Sequence, residues 1–118
     1  MTLKRFNDPI CAVDYSFQRI GGKYKGRIVW YLNTHEVLRY GQLRKMLPDI
    51  TPKMMTQTLR ELEEDELVSR KVYHEVPPKV EYSLTDIGRE LIPFINYLEA
   101  WGSKQMDKKN IVKKIECV

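Results

Sequence analysis

Four side chains at helical spacing carry the sharpest chemistry in this 118-residue chain: Lys53, Thr56, Gln57 and Arg60. An ammonium, a hydroxyl, an amide and a guanidinium are the groups that meet base edges in a major groove. Arg39, Lys45 and Lys71 are of the type that neutralises phosphates and fixes register. Lys79 follows Pro77-Pro78, at the tip of a hairpin pattern, and is placed to reach a neighbouring minor groove or its backbone. Two cysteines, Cys11 and Cys117, sit near opposite ends and offer redox chemistry. The competing readings are plainer. Arg60 has Glu63 and Glu64 nearby for a surface ion pair, and Lys79 is also simply a solvated turn lysine.

The segment from Ile50 to Gly88 positions most of these groups. Thr51 supplies an N-cap and Pro52 occupies the first helical position, where a missing N–H costs nothing. Met55, Leu59 and Leu62 then fall on one face, with the four polar groups roughly opposite. Two strand-like runs follow, Leu67 to Glu75 and Val80 to Leu84, joined by Val76-Pro77-Pro78-Lys79. A short helix followed by a basic-tipped hairpin is the winged-helix arrangement, a helix-turn-helix variant.

Other elements frame this segment. Asp8 and Pro9 predict a first helix with Asp8 as cap and Pro9 at its first position, ended by Gly21-Gly22. Val13, Phe17 and Ile20 repeat along it. A second helix is expected over about Lys23 to Leu32, with Lys25 and Arg27 outside. Val37-Leu38-Arg39 reads as a short strand beside the hairpin. A third helix covers about Tyr40 to Leu47, stopped by Pro48. A last long helix starts after Thr85 and is bent by Pro93 inside it. Ile87, Leu91, Phe94, Leu98 and Trp101 run along one side of it, widened by Ile92 and Ile95. Such a stripe serves either a subunit interface, together with Val13 and Phe17, or packing on the chain's own core. The tail carries five lysines between Lys104 and Lys114.

Size and charge narrow the partners. The length fits one domain with a modest core. The net charge is +4, and it is uneven: residues 1–60 hold 11 Lys/Arg against 4 Asp/Glu, and residues 61–118 hold 9 against 12. The basic half ends inside the proposed reading helix, which suits a polyanion. No nucleophile elbow, phosphate loop or metal-ligand cluster is present, and His35 and His74 stand apart. An enzyme, a metal and a cofactor are therefore not expected. No apolar run has the length of a membrane span and the start lacks a signal-peptide core, so the expected place is the cytoplasm.

The pattern Leu59-Arg60-Glu61-Leu62-Glu63, Asp65, Leu67-Val68, Arg70, Pro77 through Thr85 and Gly88 resembles the HxlR family of bacterial winged-helix regulators, which are MarR-like. The likeness continues through Cys11, Ile20-Gly21-Gly22-Lys23, Arg39 to Leu43, Met54 to Gln57, Leu91, Pro93 and Trp101-Gly102. It covers roughly Cys11 to Gly102. The resemblance implies double-stranded DNA as partner, a homodimer on an inverted-repeat operator, and pairing through the first and last helices. It also implies that Cys11, at the family's sensor position, responds to oxidants or electrophiles. Cys117, as a second thiol, is a candidate to trap a sulfenic acid on Cys11 as a disulfide, or else a thiol with no part in the response. On residues alone, Cys11 reads as a small apolar group in the first helix.

The chain departs from the family pattern at Ala12, where proline is common, at Tyr24, where tryptophan is frequent, and at Glu66, usually glycine. A left-handed non-glycine residue costs on the order of 1 kcal/mol, so a remodelled end to the reading helix is expected at Glu66. The fold class is mainly α with a small β-hairpin wing. One domain spans 1–118, with dimerisation helices over about 8–22 and 86–106, a DNA-binding core over 23–85 and a basic tail over 107–118. A winged helix used for protein contact, or a regulator answering to an unknown small molecule instead of a thiol, are the alternatives.

Overall fold

The computed structural model describes residues 8–115; Cys117 lies outside them. In chain order the elements are α1 (Ala12–Ile20), α2 (Lys25–His35), β1 (Val37–Arg39), α3 (Tyr40–Met46), α4 (Pro52–Glu64), β2 (Val68–Tyr73), β3 (Lys79–Leu84), α5 (Asp86–Arg89) and α6 (Ile92–Lys108). The three strands form one antiparallel sheet in the order β1-β3-β2. Val37 to Arg39 therefore does pair with the hairpin, Leu38 opposite Tyr82.

Apolar periodicity decides the packing. Ile28, Val29 and Leu32 of α2 meet Leu43 of α3 and Met55, Leu59 and Leu62 of α4 in one buried cluster. Leu38, Val68, Tyr82 and Leu84 close it from the sheet. Each fully buried aliphatic side chain contributes about 1.5–3 kcal/mol. The turn between α3 and α4 is buried at both ends, through Leu47 and Ile50. Ile50 N donates to the Leu47 carbonyl at 3.1 Å, which holds the two helices in a helix-turn-helix.

Several elements differ from the expectations. The first helix is capped by Cys11, not Asp8, and begins at Ala12. The Cys11 Sγ accepts from Asp14 N at 3.5 Å, so a side chain three residues further along the chain sets the start. Gly22, at φ 96°, takes the left-handed turn after α1. The second helix runs on to His35. Lys25, expected outside, is buried, and its ammonium lies 2.9 Å from a Glu61 carboxylate oxygen. That pairing removes the objection to burying a charge.

The expected single long helix is two. Thr85 caps α5 through a bond from Gly88 N at 3.0 Å. Pro93 does not bend a helix interior; it sits in the first turn of α6, where proline is tolerated. Gly88 is required by close approach: a Cβ there would stand 2.2 Å from the Leu67 carbonyl oxygen. The end of α4 is not remodelled. Glu66 takes the left-handed conformation, at φ 62°, and the Schellman pattern persists. Leu67 N donates to Leu62 O and Glu66 N to Glu63 O, both at 3.0 Å. The same motif closes α6, with Asn110 left-handed at φ 56° and Ile111 N bonded to Met106 O.

Candidate nucleic-acid interface

The helix α4 forms as its caps dictate. Thr51 accepts from Met54 N at 3.2 Å and Pro52 opens α4. Met55, Leu59 and Leu62 are buried, as is Thr58. Lys53, Thr56, Gln57 and Arg60 all lie exposed on the other side. Gln57 donates to a Glu61 carboxylate oxygen at 3.3 Å, which orients its amide along the helix. The expected competitor for Arg60 is absent: among the described residues no carboxylate forms an ion pair with Lys53 or Arg60.

Ion pairs hold α4 in place from behind. Besides Lys25–Glu61, Arg27 of α2 grips Asp49 in the turn before α4 with two bonds of 2.9 Å. Lys23 lies 3.5 Å from the same carboxylate. The Arg27 hydrogen bonds hold the Asp49 carboxyl well below the usual carboxylate range, against the opposing effect of desolvation, and Lys23 adds attraction. At the far end Arg19 of α1 reaches Asp65 at 3.6 Å. The sequence reading missed these partners because 22 to 46 residues separate them and no local spacing signals them.

The sheet carries a second group of cations on its other face. Alternation puts Arg39, Lys71, Tyr73, Lys79 and Glu81 on the hairpin face away from the core, opposite Leu38, Val68, Tyr82 and Leu84. Lys79 is not in the loop. It is the first residue of β3, paired with Tyr73, and its side chain is three-quarters covered. Its ammonium stands 4.3 Å from the Tyr73 ring centre and 4.0 Å from Glu81. Lys71 lies 4.8 Å from that ring. Arg39 and Lys45 are exposed, Arg39 at the start of α3 and Lys45 in its last turn.

Between α4 and the sheet lies a cleft of about 340 Å³ lined by Tyr40, Thr56, Arg60, Glu63, Arg70 and Tyr82. Arg70 and Tyr40 belong to the family resemblance, but the sequence assigns them no contact. The period-2 pattern of β2 carried the signal for Arg70, since it sits opposite Tyr82 on the helix-facing side.

The remaining sequence-marked residues gather elsewhere. Phe17 of α1 and Phe94 of α6 meet edge to face, centres 6.1 Å apart. With Val13, Ile20 and Leu91 they line an apolar groove of about 310 Å³. Val13, Phe17, Ile87, Leu98 and Trp101 are each more than 40 % exposed, and Phe94 is 37 % exposed. Cys11 is exposed, with a free thiol, beside Ala12 at the rim of that groove. Among the described residues no cluster of His, Cys, Asp or Glu has the arrangement of a metal site. No described helix is long and apolar enough to cross a membrane.

A helix-turn-helix whose second helix bares polar groups, followed by a two-stranded wing, defines a winged-helix transcription regulator. Residues 19–110 match the model of the HxlR-like helix-turn-helix family, and the chain belongs to that family. It is 46 % identical over 97 residues to the uncharacterised HTH-type transcriptional regulator YybR of Bacillus subtilis, covering 82 % of this chain and 77 % of that one. The redox regulator HypR in its oxidised form is 47 % identical, with a TM-score of 0.74 over 80 % of this chain and 96 % of that one. Diamide-treated YodB from B. subtilis is 32 % identical, with a TM-score of 0.67 over 80 % and 94 %. The family is one of DNA-binding transcription regulators, not of enzymes.

Proposed function

We propose that this regulator binds an inverted-repeat operator as a homodimer and that Cys11 makes the binding sensitive to oxidants or electrophiles. The carrying observation is the bare outer face of α4. Lys53, Thr56, Gln57 and Arg60 read base edges there, while Arg39, Lys45, Lys71 and Lys79 hold phosphates. The exposed apolar surface of Val13, Phe17, Ile87, Phe94, Leu98 and Trp101, with Leu91, suits pairing of α1 and α6 with a second copy. Two α4 helices then enter successive major grooves about 34–36 Å apart.

The switch rests on where Cys11 stands. It caps α1, so it touches the helix that would form the subunit seam, and its thiol is accessible. Oxidation to a sulfenic acid, or addition of an electrophile to sulfur, enlarges the cap and displaces the start of α1. A shift in how α1 meets α6 changes the spacing of the two reading helices. Condensation of the sulfenic acid with the Cys117 thiol, with loss of water, would fix the shift as a disulfide. The names of the relatives, a redox regulator and a diamide-treated protein, support this reading.

The test is operator binding titrated with diamide or a quinone for wild type, Cys11→Ser and Cys117→Ser. The proposal expects a change in wild type that Cys11→Ser abolishes. An identical response from wild type and Cys11→Ser removes the switch. A Cys117→Ser protein that responds like wild type leaves Cys11 acting alone.

A further inference from the structure

Two ammonium groups, one from each strand of the hairpin, converge on a single aromatic ring. Lys71 lies two residues before Tyr73 on β2, so both point to the same face. Lys79 begins β3 directly opposite Tyr73. The Nζ atoms stand 4.8 Å and 4.3 Å from the ring centre. Both distances are inside the range in which the negative face of a ring attracts a cation. Tyr73 is half-buried, Lys71 is exposed and Lys79 is partly covered, so the ring is fixed and the charges remain at the surface.

One carboxylate opposes this pair. Glu81 sits opposite Lys71 on the same face and lies 4.0 Å from the Lys79 ammonium. It leaves an excess of one positive charge and lies close enough to hold Lys79 by attraction. A lysine in solution loses much of its rotamer freedom when it grips a phosphate. Here the ring has already removed part of that freedom for both side chains. Holding two like charges near one ring also leaves a site that an anion relieves. At the distal end of a wing, the anion of the right chemistry is a backbone phosphate.

We propose that Tyr73 is a positioning residue for DNA binding: its ring gathers Lys71 and Lys79 into one phosphate-gripping unit at the end of the wing. The proposal rests on the DNA-contact reading of those two lysines and adds the group that organises them. Because a phosphate carries no sequence, the unit strengthens binding to every duplex alike.

The experiment measures binding of the full chain to its selected operator and to an unrelated duplex, across a salt series. Wild type, Tyr73→Phe, Tyr73→Leu, Lys71→Ala and the double variant of the last two are compared. Tyr73→Phe keeps the ring and should match wild type. Tyr73→Leu should weaken both duplexes by about 5- to 30-fold, the size of two exposed cation–ring contacts. It should also lower the steepness of the salt dependence by about 1 for each phosphate no longer neutralised. The losses from Tyr73→Leu and Lys71→Ala should be less than additive, which a change in fold alone would not produce. A Tyr73→Leu protein with wild-type affinity and salt dependence overturns the proposal while leaving DNA binding by the wing intact. Fully additive losses also overturn it. Absence of salt-dependent binding in wild type overturns the underlying DNA-contact reading, and this inference with it.

Discussion

The two faces of α4 use the same kinds of side chain to opposite ends. On the inner side charges are held in ion pairs: Glu61 with Lys25, Asp49 with Arg27 and Lys23, Asp65 with Arg19. On the outer side Lys53 and Arg60 stand exposed, and among the described residues no carboxylate forms an ion pair with either. That contrast is what a base-reading helix would need. Its donors must be held close to their working geometry, to within roughly 0.5 Å for a recognition site. That precision comes from buried contacts and ion pairs behind the helix. The outer charges are then free for a partner, and substituting them should leave the fold alone.

The largest expected effect tests the surface that would place two such helices side by side. Phe94→Glu or Leu98→Glu should yield monomers by sedimentation and lower operator affinity on the order of 100-fold or more, since each half-site loses its tethered neighbour. A dimer that survives both changes would remove this surface from the pairing. Next comes the inner face. Glu61→Ala takes the carboxylate from a buried ammonium and should cost about 3 kcal/mol in urea unfolding. Replacing both partners, Lys25→Met with Glu61→Leu, should recover most of that loss. On the outer face, Arg60→Ala should leave stability within about 0.5 kcal/mol and cost about 1–3 kcal/mol in operator binding. If stability falls as much for Arg60→Ala as for Glu61→Ala, the division between the faces is wrong.

The smallest effect sharpens the inner face by pH. The folded Asp49 carboxyl is held below its ordinary range, so it releases its proton more readily folded than unfolded. Its contribution to stability is therefore full above the unfolded pKa of about 3.9 and is lost as pH falls below it. Asp49→Asn should be less stable than wild type at pH 7, with the difference shrinking as the pH is lowered towards 3. A difference constant with pH, measured by urea unfolding, would mean the Arg27 pairing is not its source.

The sequence made α4 and its two faces legible because everything needed was local: a Thr51 cap, Pro52, and apolar residues at helical spacing. The hairpin was legible for a similar reason, since alternation and the Pro77-Pro78 turn lie within 20 residues. What failed was either a competition between nearby signals or a distant partner. Asp8-Pro9 offered a good helix start, yet Cys11 took the cap. Lys25 read as an outward lysine because its partner Glu61 is 36 residues away. Glu66 suggested a disturbed helix end, but the Schellman bonds and the Thr85 hydroxyl on the Glu66 carbonyl hold the left-handed turn without glycine. Pro93 predicts a kink because the break before it, where Leu91 and Ile92 restart the chain, has no glycine or cap to mark it. For the proposed DNA contacts, residue types pointed to the cations, while the ring that gathers two of them emerged only from strand register.

The most direct test of the account is selection of bound duplexes from a random pool by wild type and by Arg60→Ala in parallel. Wild type should enrich an inverted repeat whose half-sites are centred about one or a whole number of helical turns apart. Arg60→Ala should enrich the same repeat with preference lost at one symmetric pair of positions. Enrichment of an unchanged motif by Arg60→Ala, or of no symmetric motif by wild type, would contradict the claim that the outer face of α4 reads DNA as a pair.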